Sequence, residues 1–370
     1  MIETFTIFFL LIASVYVITG ILMHIGLSKK HETNSVKKQV TILIAARNEE
    51  KLLPRCLESI SNLEYPAQLM EVYVLNDHSD DNTVDIAQRY AKKYTHFHLI
   101  NITETIPGLK GKMNALCQGI ENTNNEIILV TDADCIIPPN WIDTYVSLFS
   151  TDTGLIGGMT LLTMGKKRES LFDKIQALDW IFLLSVASGT AGIGLPVTVL
   201  GNNFAFRRKA YEDVGGFRKI GFSVTEDMAL LKEISKNTKW KIRYPLLKDN
   251  AIYSNPIKEI SEFYHQRKRW AQGGINSSFW GYLLMSISFL THLFILFTVI
   301  FATWDRLVGG LLIMLILVDA SLVSRLLNRF RLKKLLWYFP LFEVFYIFYT
   351  TIFAAVFFLP LKINWKNRNY

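Results

Sequence analysis

The chain has 370 residues, of which 50% are apolar and only 19% charged, with a net charge of +8. Soluble domains carry about 25% charged residues, so the composition argues against an ordinary soluble enzyme and excludes a disordered chain or a collagen-like fibre. The apolar excess lies at the two ends, which also disfavours a multi-span transporter. Residues 40–255 read as a globular stretch large enough for a full core. Cys56, Cys117 and Cys135 are odd in number and lack metal-ligand spacing, as expected of reduced thiols in a cytosolic domain.

Residues 4–27 contain no Lys, Arg, Asp or Glu, and about 20 such residues cross a bilayer core. A cleaved signal peptide would want basic residues before the apolar run. Here only Glu3 precedes it, and Lys29, Lys30, Lys37 and Lys38 follow. A retained anchor is predicted, with the amino terminus outside and the large domain in the cytoplasm.

The central region alternates strand and helix. β-Branched apolar runs at 40–46, 71–75, 97–100 and 126–130 read as buried strands. Helical patterns at 49–62, 83–94 and 112–122 lie between them. This alternation predicts an α/β domain with a mostly parallel sheet covered on both faces. Ligands of such sheets bind beyond the carboxyl ends of the strands, and acidic groups stand there. Asp77 ends the second strand. Asp132 and Asp134 follow the fourth, two residues apart, so extended backbone would aim both the same way. Two carboxylates suit a hard divalent cation that completes its shell with phosphates; a solvated turn is the bland alternative. Ser79, Asp80 and Asp81 suit a helix cap. Lys112 opens a helix and suits phosphate neutralisation, or is a surface lysine.

Residues 171–200 mix apolar runs with Asp173, Lys174 and Asp179, which fits a membrane-interface stretch or a core helix and loop. Thr225-Glu226-Asp227 follows a Gly-rich stretch and reads as a loop presenting a carboxylate to substrate, or as a capped helix. His265-Gln266-Arg267-Lys268-Arg269-Trp270 precedes the next apolar run; a basic patch on anionic lipid explains its charges.

Three apolar segments follow, 283–304, 307–324 and 335–361, interrupted by His292, Asp319 and Glu343. The turn at Trp304-Asp305-Arg306 suits the outer face. Residues 325–334 hold five basic side chains, which suits the inner face. Three full crossings would place Lys362, Lys366 and Arg368 outside, against their preference. Pro340 and Glu343 suggest instead that the last segment is re-entrant, a hairpin, or an interfacial helix plus one span. Asp319 and Glu343 mark an acceptor path, or sit near headgroups or bond to a neighbouring helix.

Taken in order, Ala46-Arg47-Asn48-Glu49, Asp77, Lys112, Asp132-Ala133-Asp134, Thr225-Glu226-Asp227 and Gln266-Arg267-Lys268-Arg269-Trp270 resemble the membrane-bound family 2 glycosyltransferases. That group includes cellulose, poly-N-acetylglucosamine and hyaluronan synthases and ceramide glucosyltransferase. The resemblance covers roughly residues 40–275. The string Gly201 to Arg208 looks like that family's acceptor-side region, and the tail at 365–370 resembles that of ceramide glucosyltransferase-like members. Ala115-Leu116-Cys117, where the family usually has Ala-Leu-Asn, and Asn76, where a second Asp is common, depart from the pattern.

The resemblance implies a GT-A fold, Rossmann-like, flanked by transmembrane helices. The expected division is an anchor over 1–28, a catalytic domain over 29–255, an acceptor and interface segment over 256–282, and a membrane region over 283–370. On the same resemblance, Glu49, Asp77, Lys112 and Asp132 bind the nucleotide sugar. Asp134 ligates Mg²⁺ or Mn²⁺. Asp227 and Glu226 are the catalytic pair, with Asp227 the general base. Gln266, Arg269 and Trp270 floor the acceptor site and steady the departing diphosphate. The expected activity is inverting transfer of a sugar, from a UDP-sugar by family habit, to a lipid or lipid-linked acceptor at the inner leaflet. A processive polysaccharide synthase and a non-catalytic nucleotide-binding scaffold are the alternatives. An integral protein of the bacterial inner membrane with a cytoplasmic catalytic domain is expected, with no nucleic-acid partner and with any partner subunit left open.

Overall fold

The computed structural model describes residues 2–163, 169–274, 277–301, 306–357, 364–365 and 368–369. The chain divides into two compact units. One comprises Lys30–Thr163 and Thr198–Asn255; the other comprises Met1–Lys29, Met164–Val197 and Pro256–Tyr370.

The first unit is built on a seven-stranded sheet with a separate two-stranded pair. In chain order it contains β1 (Val40–Ala46), α2 (Leu53–Ser61), β2 (Met70–Asn76), α3 (Thr83–Lys93), β3 (Phe97–Asn101), α4 (Gly111–Glu121), β4 (Ile127–Asp132), α5 (Trp141–Leu148), β5 (Thr153–Gly157) and β6 (Thr160–Leu162). After an excursion into the other unit it resumes with β7 (Asn203–Arg207), α7 (Arg208–Asp213), α8 (Gly216–Ile220), α9 (Glu226–Asn237), β8 (Lys241–Arg243) and β9 (Ile252–Ser254). The main sheet runs β3-β2-β1-β4-β7-β5-β8, and β6 pairs with β9 separately. The first four strands are parallel. β7 is antiparallel to both β4 and β5, a reversal that local periodicity does not reveal.

Parallel strands must be covered on both faces, and this sequence does so. On α2, Leu53, Cys56, Leu57 and Ile60 recur at helical spacing and are buried. They join Ile42, Ile44, Val72, Val74 and Leu129 in one core. On the other face α4 lies so close that a side chain at Gly119 would strike Leu75 and Leu43. The register aligns Ala46 with Asn76 and Ala45 with Asp132. The carboxyl ends of β1, β2 and β4 therefore form one edge, where the order reverses direction from β1 to β4.

The second unit is helical: α1 (Ile2–Leu27), α6 (Leu171–Gly192), α10 (Ile260–Gly274), α11 (Phe279–Ile300), α12 (Arg306–Arg329) and α13 (Phe339–Phe357), followed by a minimal antiparallel pair, β10 (Asn364–Trp365) and β11 (Arg368–Asn369). Five helices are long and apolar enough to cross a membrane: Ile7–Leu27, Leu171–Gly192, Phe279–Ile300, Arg306–Arg329 and Lys333–Phe353. The protein is thus a membrane protein in its helical unit. α6, read from the sequence as interfacial or as domain core, packs with α1 and α12. Side chains at Gly26, Gly189 or Gly192 would collide with the facing backbone, so small residues let α1 and α6 approach closely.

The last apolar segment is described as far as residue 357. A 3₁₀ turn over Lys333–Tyr338 leads into a single helix, and Pro340 is its second residue. Proline fits there because a first-turn N–H has no intrahelical acceptor to lose. The expected outer turn at Trp304-Asp305 and the tail residues Lys362, Lys366 and Tyr370 lie outside the described residues. Asp319 bonds to a neighbouring helix. It is buried and accepts from Tyr16 Oη at 2.7 and 2.9 Å. His292 and Glu343 are buried in the same unit.

Candidate functional site

The edge at the ends of β1, β2 and β4 is fixed by an interlocked pair of loops. Asn48 and His78 both take positive φ, 54° and 58°, which asparagine and histidine tolerate better than most residues. Asn48 Oδ1 accepts from Asp80 N at 2.9 Å, and Ser79 Oγ accepts from Asn48 N at 3.1 Å. Asp81 accepts from Glu50 N and from Thr83. The Ser79 and Asp81 side chains and the Asp80 backbone thus fasten the two loops together. Glu49 is held through its backbone N–H to Thr83 Oγ1, 2.8 Å. Asp77 is buried, its carboxylate 3.0 Å from His78 Nδ1.

Lys112 is the hub of the site. It enters from the first turn of α4, and its Nζ lies 2.6 Å from Asp132 Oδ1, 2.8 Å from Glu226 Oε1 and 3.0 Å from the Gly201 carbonyl. Burial opposes its charge, but Asp132 and Glu226 outweigh burial and hold the ammonium protonated. Four positions distant in sequence, 112, 132, 226 and 201, thus meet at one nitrogen. Gly201 also lies against Asp227: a Cβ there would stand 2.9 Å from Asp227 Oδ2. Any side chain would fill the space beside that carboxylate.

Asp227 stands in the first turn of α9 and is 9% exposed. Burial pushes its carboxyl up to about 7, the Glu226 carboxylate adds to the rise, and Lys112 opposes it. Asp132, by contrast, is 38% exposed at its side chain. The cluster is open to solvent at Asp132 and closed at Asp227.

Asp134 follows Asp132 by two residues. Its Oδ2 accepts from Ser254 Oγ at 2.9 Å and its Oδ1 lies 3.4 Å from Cys135 Sγ. Burial, then the Asp132 carboxylate, raise its pKa. A carboxylate that is partly buried beside another, braced by a hydroxyl, has the chemistry of a hard-cation ligand. Among the described residues no three His, Cys, Asp or Glu gather as a metal site. The fit is therefore to a cation that takes one or two protein carboxylates and shares the rest of its shell with phosphate oxygens.

Gln266, Arg269 and Trp270 all lie on α10, in the helical unit. They are three and four residues apart and so share one side of the helix. Between them Arg267 is buried and paired with Asp179 at 2.5 Å.

The sequence offered no signal for Ser254 or for the Asp179–Arg267 pair, because each is a long-range partnership. Gly201 lay within the string singled out as acceptor-side. Most of that string is core strand: Asn203 uses its amide on Trp141, Tyr145, Met159 and Asn250.

Comparison with known proteins identifies the family and the fold. The family model described as "Glycosyl transferase family 21" matches residues 5–370. A beta-monoglucosyldiacylglycerol synthase of Trichormus variabilis is 30% identical over 242 residues, covering 64% of this chain and 48% of that protein. A poly-beta-1,6-N-acetyl-D-glucosamine synthase of Staphylococcus epidermidis is 26% identical over 287 residues, covering 73% of this chain and 65% of that protein. The chain spans about half the length of the first of these. In fold, it is similar to the mannosyltransferase PcManGT from Pyrobaculum calidifontis, solved with GDP-Man and Mn²⁺, at a TM-score of 0.61 and 16% identity over 96% of this chain and 99% of that one. The fold is GT-A-like, as the motifs implied.

Proposed function

The chain belongs to glycosyl transferase family 21, and on that footing we propose that it moves a sugar from a nucleotide-sugar, most simply a UDP-sugar, to a lipid hydroxyl at the inner leaflet. The observation that carries this reading is the convergence of Lys112, Asp132, Glu226 and Asp227 at the strand edge where such sheets bind ligands.

Glu49 and Asp77 face the nucleoside end of the donor at the tips of β1 and β2. Asp132, open to solvent and bonded to Lys112, meets the sugar and ribose hydroxyls. Asp134 would hold a divalent cation, Mg²⁺ or Mn²⁺, which when bound neutralises the diphosphate as a Lewis acid. Asp227 accepts the proton of the acceptor hydroxyl while that oxygen attacks the anomeric carbon. The bond from that carbon to the diphosphate oxygen breaks, the electron pair leaves with the nucleoside diphosphate, and the configuration inverts. A carboxyl near 7 suits this step, because a general base works best with a pKa near the working pH. Glu226 is tied to Lys112 and so orients α9 rather than serving as a second base. Gln266, Arg269 and Trp270 receive the acceptor and the departing diphosphate, where a cation stabilises developing charge.

The helical unit supports a lipid acceptor. The catalytic unit is read as cytoplasmic from the basic residues that follow α1 and end α12, in an inner membrane. The related polysaccharide synthase keeps a second product class in view. Incubating the purified full chain with native membrane lipids, a panel of nucleotide sugars and Mg²⁺ or Mn²⁺ separates them by mass spectrometry. A glycolipid bearing one or a few sugars supports the proposal, and long polymer without a lipid end favours the processive reading. Unaltered transfer by Asp227→Asn would remove Asp227 from the mechanism.

A further inference from the structure

We propose that Arg267, gripped by Asp179, is a positioning residue that sets the rotation of α10 and so the aim of Gln266, Arg269 and Trp270. This rests on the reading of those three side chains as the acceptor floor.

Arg267 is 3% exposed and Asp179 4%. Arg267 Nη2 stands 2.5 Å from Asp179 Oδ2, a close approach of opposite charges rather than an aligned hydrogen bond. The guanidinium lies over two rings of its own helix, with its carbon 4.2 Å from the centroid of Trp270 and 4.7 Å from that of Phe263. Tyr349 of α13 faces it at 5.7 Å.

The next residue of α6 repeats the grip. Trp180 packs on Trp270 with centroids 5.2 Å apart. Consecutive residues of α6 thus hold two positions of α10 that are three apart, one by charge and one by ring. Trp270 belongs to both sets: it is stacked by Arg267 and is itself a proposed acceptor contact.

A buried ion pair is poor evidence for added stability, since apolar residues of equal volume often do as well. What such a pair does supply is selection of one arrangement, because every other rotation leaves a charge buried alone. Arginine is suited to this by its planar fork, which fixes direction where an ammonium would not. Apolar side chains alone would tolerate a turned or shifted α10.

The test uses the full chain in nanodiscs, with total native-membrane lipid at graded mole fraction and the nucleotide sugar that gives most transfer in the panel above. Arg267→Lys keeps the charge and loses the plane; Asp179→Asn keeps the shape and loses the charge. Both are expected to raise the apparent KM for lipid about tenfold or more, as misplacement near 1 Å can cost that much, while KM for the nucleotide sugar stays unchanged. Hydrogen exchange should rise within Ile260–Gly274 and not in the sheet. Asp179→Glu, which lengthens the pair by one methylene, serves if either variant fails to fold. An unchanged lipid KM in these variants, with Gln266→Ala and Trp270→Ala still raising it, overturns the positioning role alone. An unchanged lipid KM in Gln266→Ala and Trp270→Ala overturns the acceptor-floor reading beneath it.

Discussion

At the scale of single residues, the Lys112 cluster sets the pH dependence. Asp227 acts as a base only when ionised, and burial beside Glu226 holds its carboxyl up to about 7. Activity should therefore be present above that value and fall as pH drops through it. We expect the acid limb of kcat/KM to reflect Asp227, and Asp227→Asn to lose about 10²–10⁴-fold in kcat. Lys112 opposes the rise at Asp227, so Lys112→Met should move the acid limb to higher pH, besides weakening donor binding. A limb that stays in place in the lysine variant would mean that the ammonium does not act on the base. Ser254 braces Asp134 through one hydrogen bond. Outer partners of metal ligands are typically worth about 10–100-fold in metal affinity, and Ser254→Ala should raise the Mn²⁺ or Mg²⁺ concentration for half-maximal transfer by a factor in that range. Equal metal curves for the two proteins would take Asp134 out of the metal site.

Elements show where sequence suffices and where it does not. The parallel strands were legible because each is a short β-branched run ending in acidic or polar residues, and β1 appears with the bounds its apolar residues suggest. The site residues on those strand ends were legible for the same reason. β7 was not, since nothing in Asn203-Phe204-Ala205-Phe206-Arg207 states which strands it will join or in which direction. Nor was the excursion of α6, whose charges Asp173, Lys174 and Asp179 argue locally for an interface. Asp179 is tolerated among apolar helices because Arg267 arrives from 88 positions away. In α13, Pro340 leaves the helix unbroken because it stands in the first turn. Within the helical unit the Tyr16–Asp319 bond ties α1 to α12. Tyr16→Phe leaves a buried carboxylate without that donor and should lower stability by about 1–3 kcal/mol, whereas the double variant Tyr16→Phe/Asp319→Leu should recover most of the loss. Thermal unfolding in detergent reads both; equal stability of wild type and Tyr16→Phe would show that the bond contributes nothing.

The whole molecule comprises an α/β unit and a helical unit that exposes many large apolar side chains, among them Leu11, Ile18, Ile313 and Leu317. Lipid, not water, is the solvent such side chains match. α6 departs after β6 and returns before β7, and β6 and β7 belong to the same unit. The chain thus leaves and rejoins one domain. The central claim is that this molecule joins a sugar to a lipid with Asp227 as the base. The most direct measurement is mass spectrometry of lipids after incubating wild type and Asp227→Asn with nucleotide sugars, divalent cation and native membrane lipid. The account predicts a new short-chain glycolipid and a stoichiometric nucleoside diphosphate from wild type, with neither from the variant. Glycolipid formed equally by both proteins, or no sugar transferred to any lipid by wild type, would contradict it.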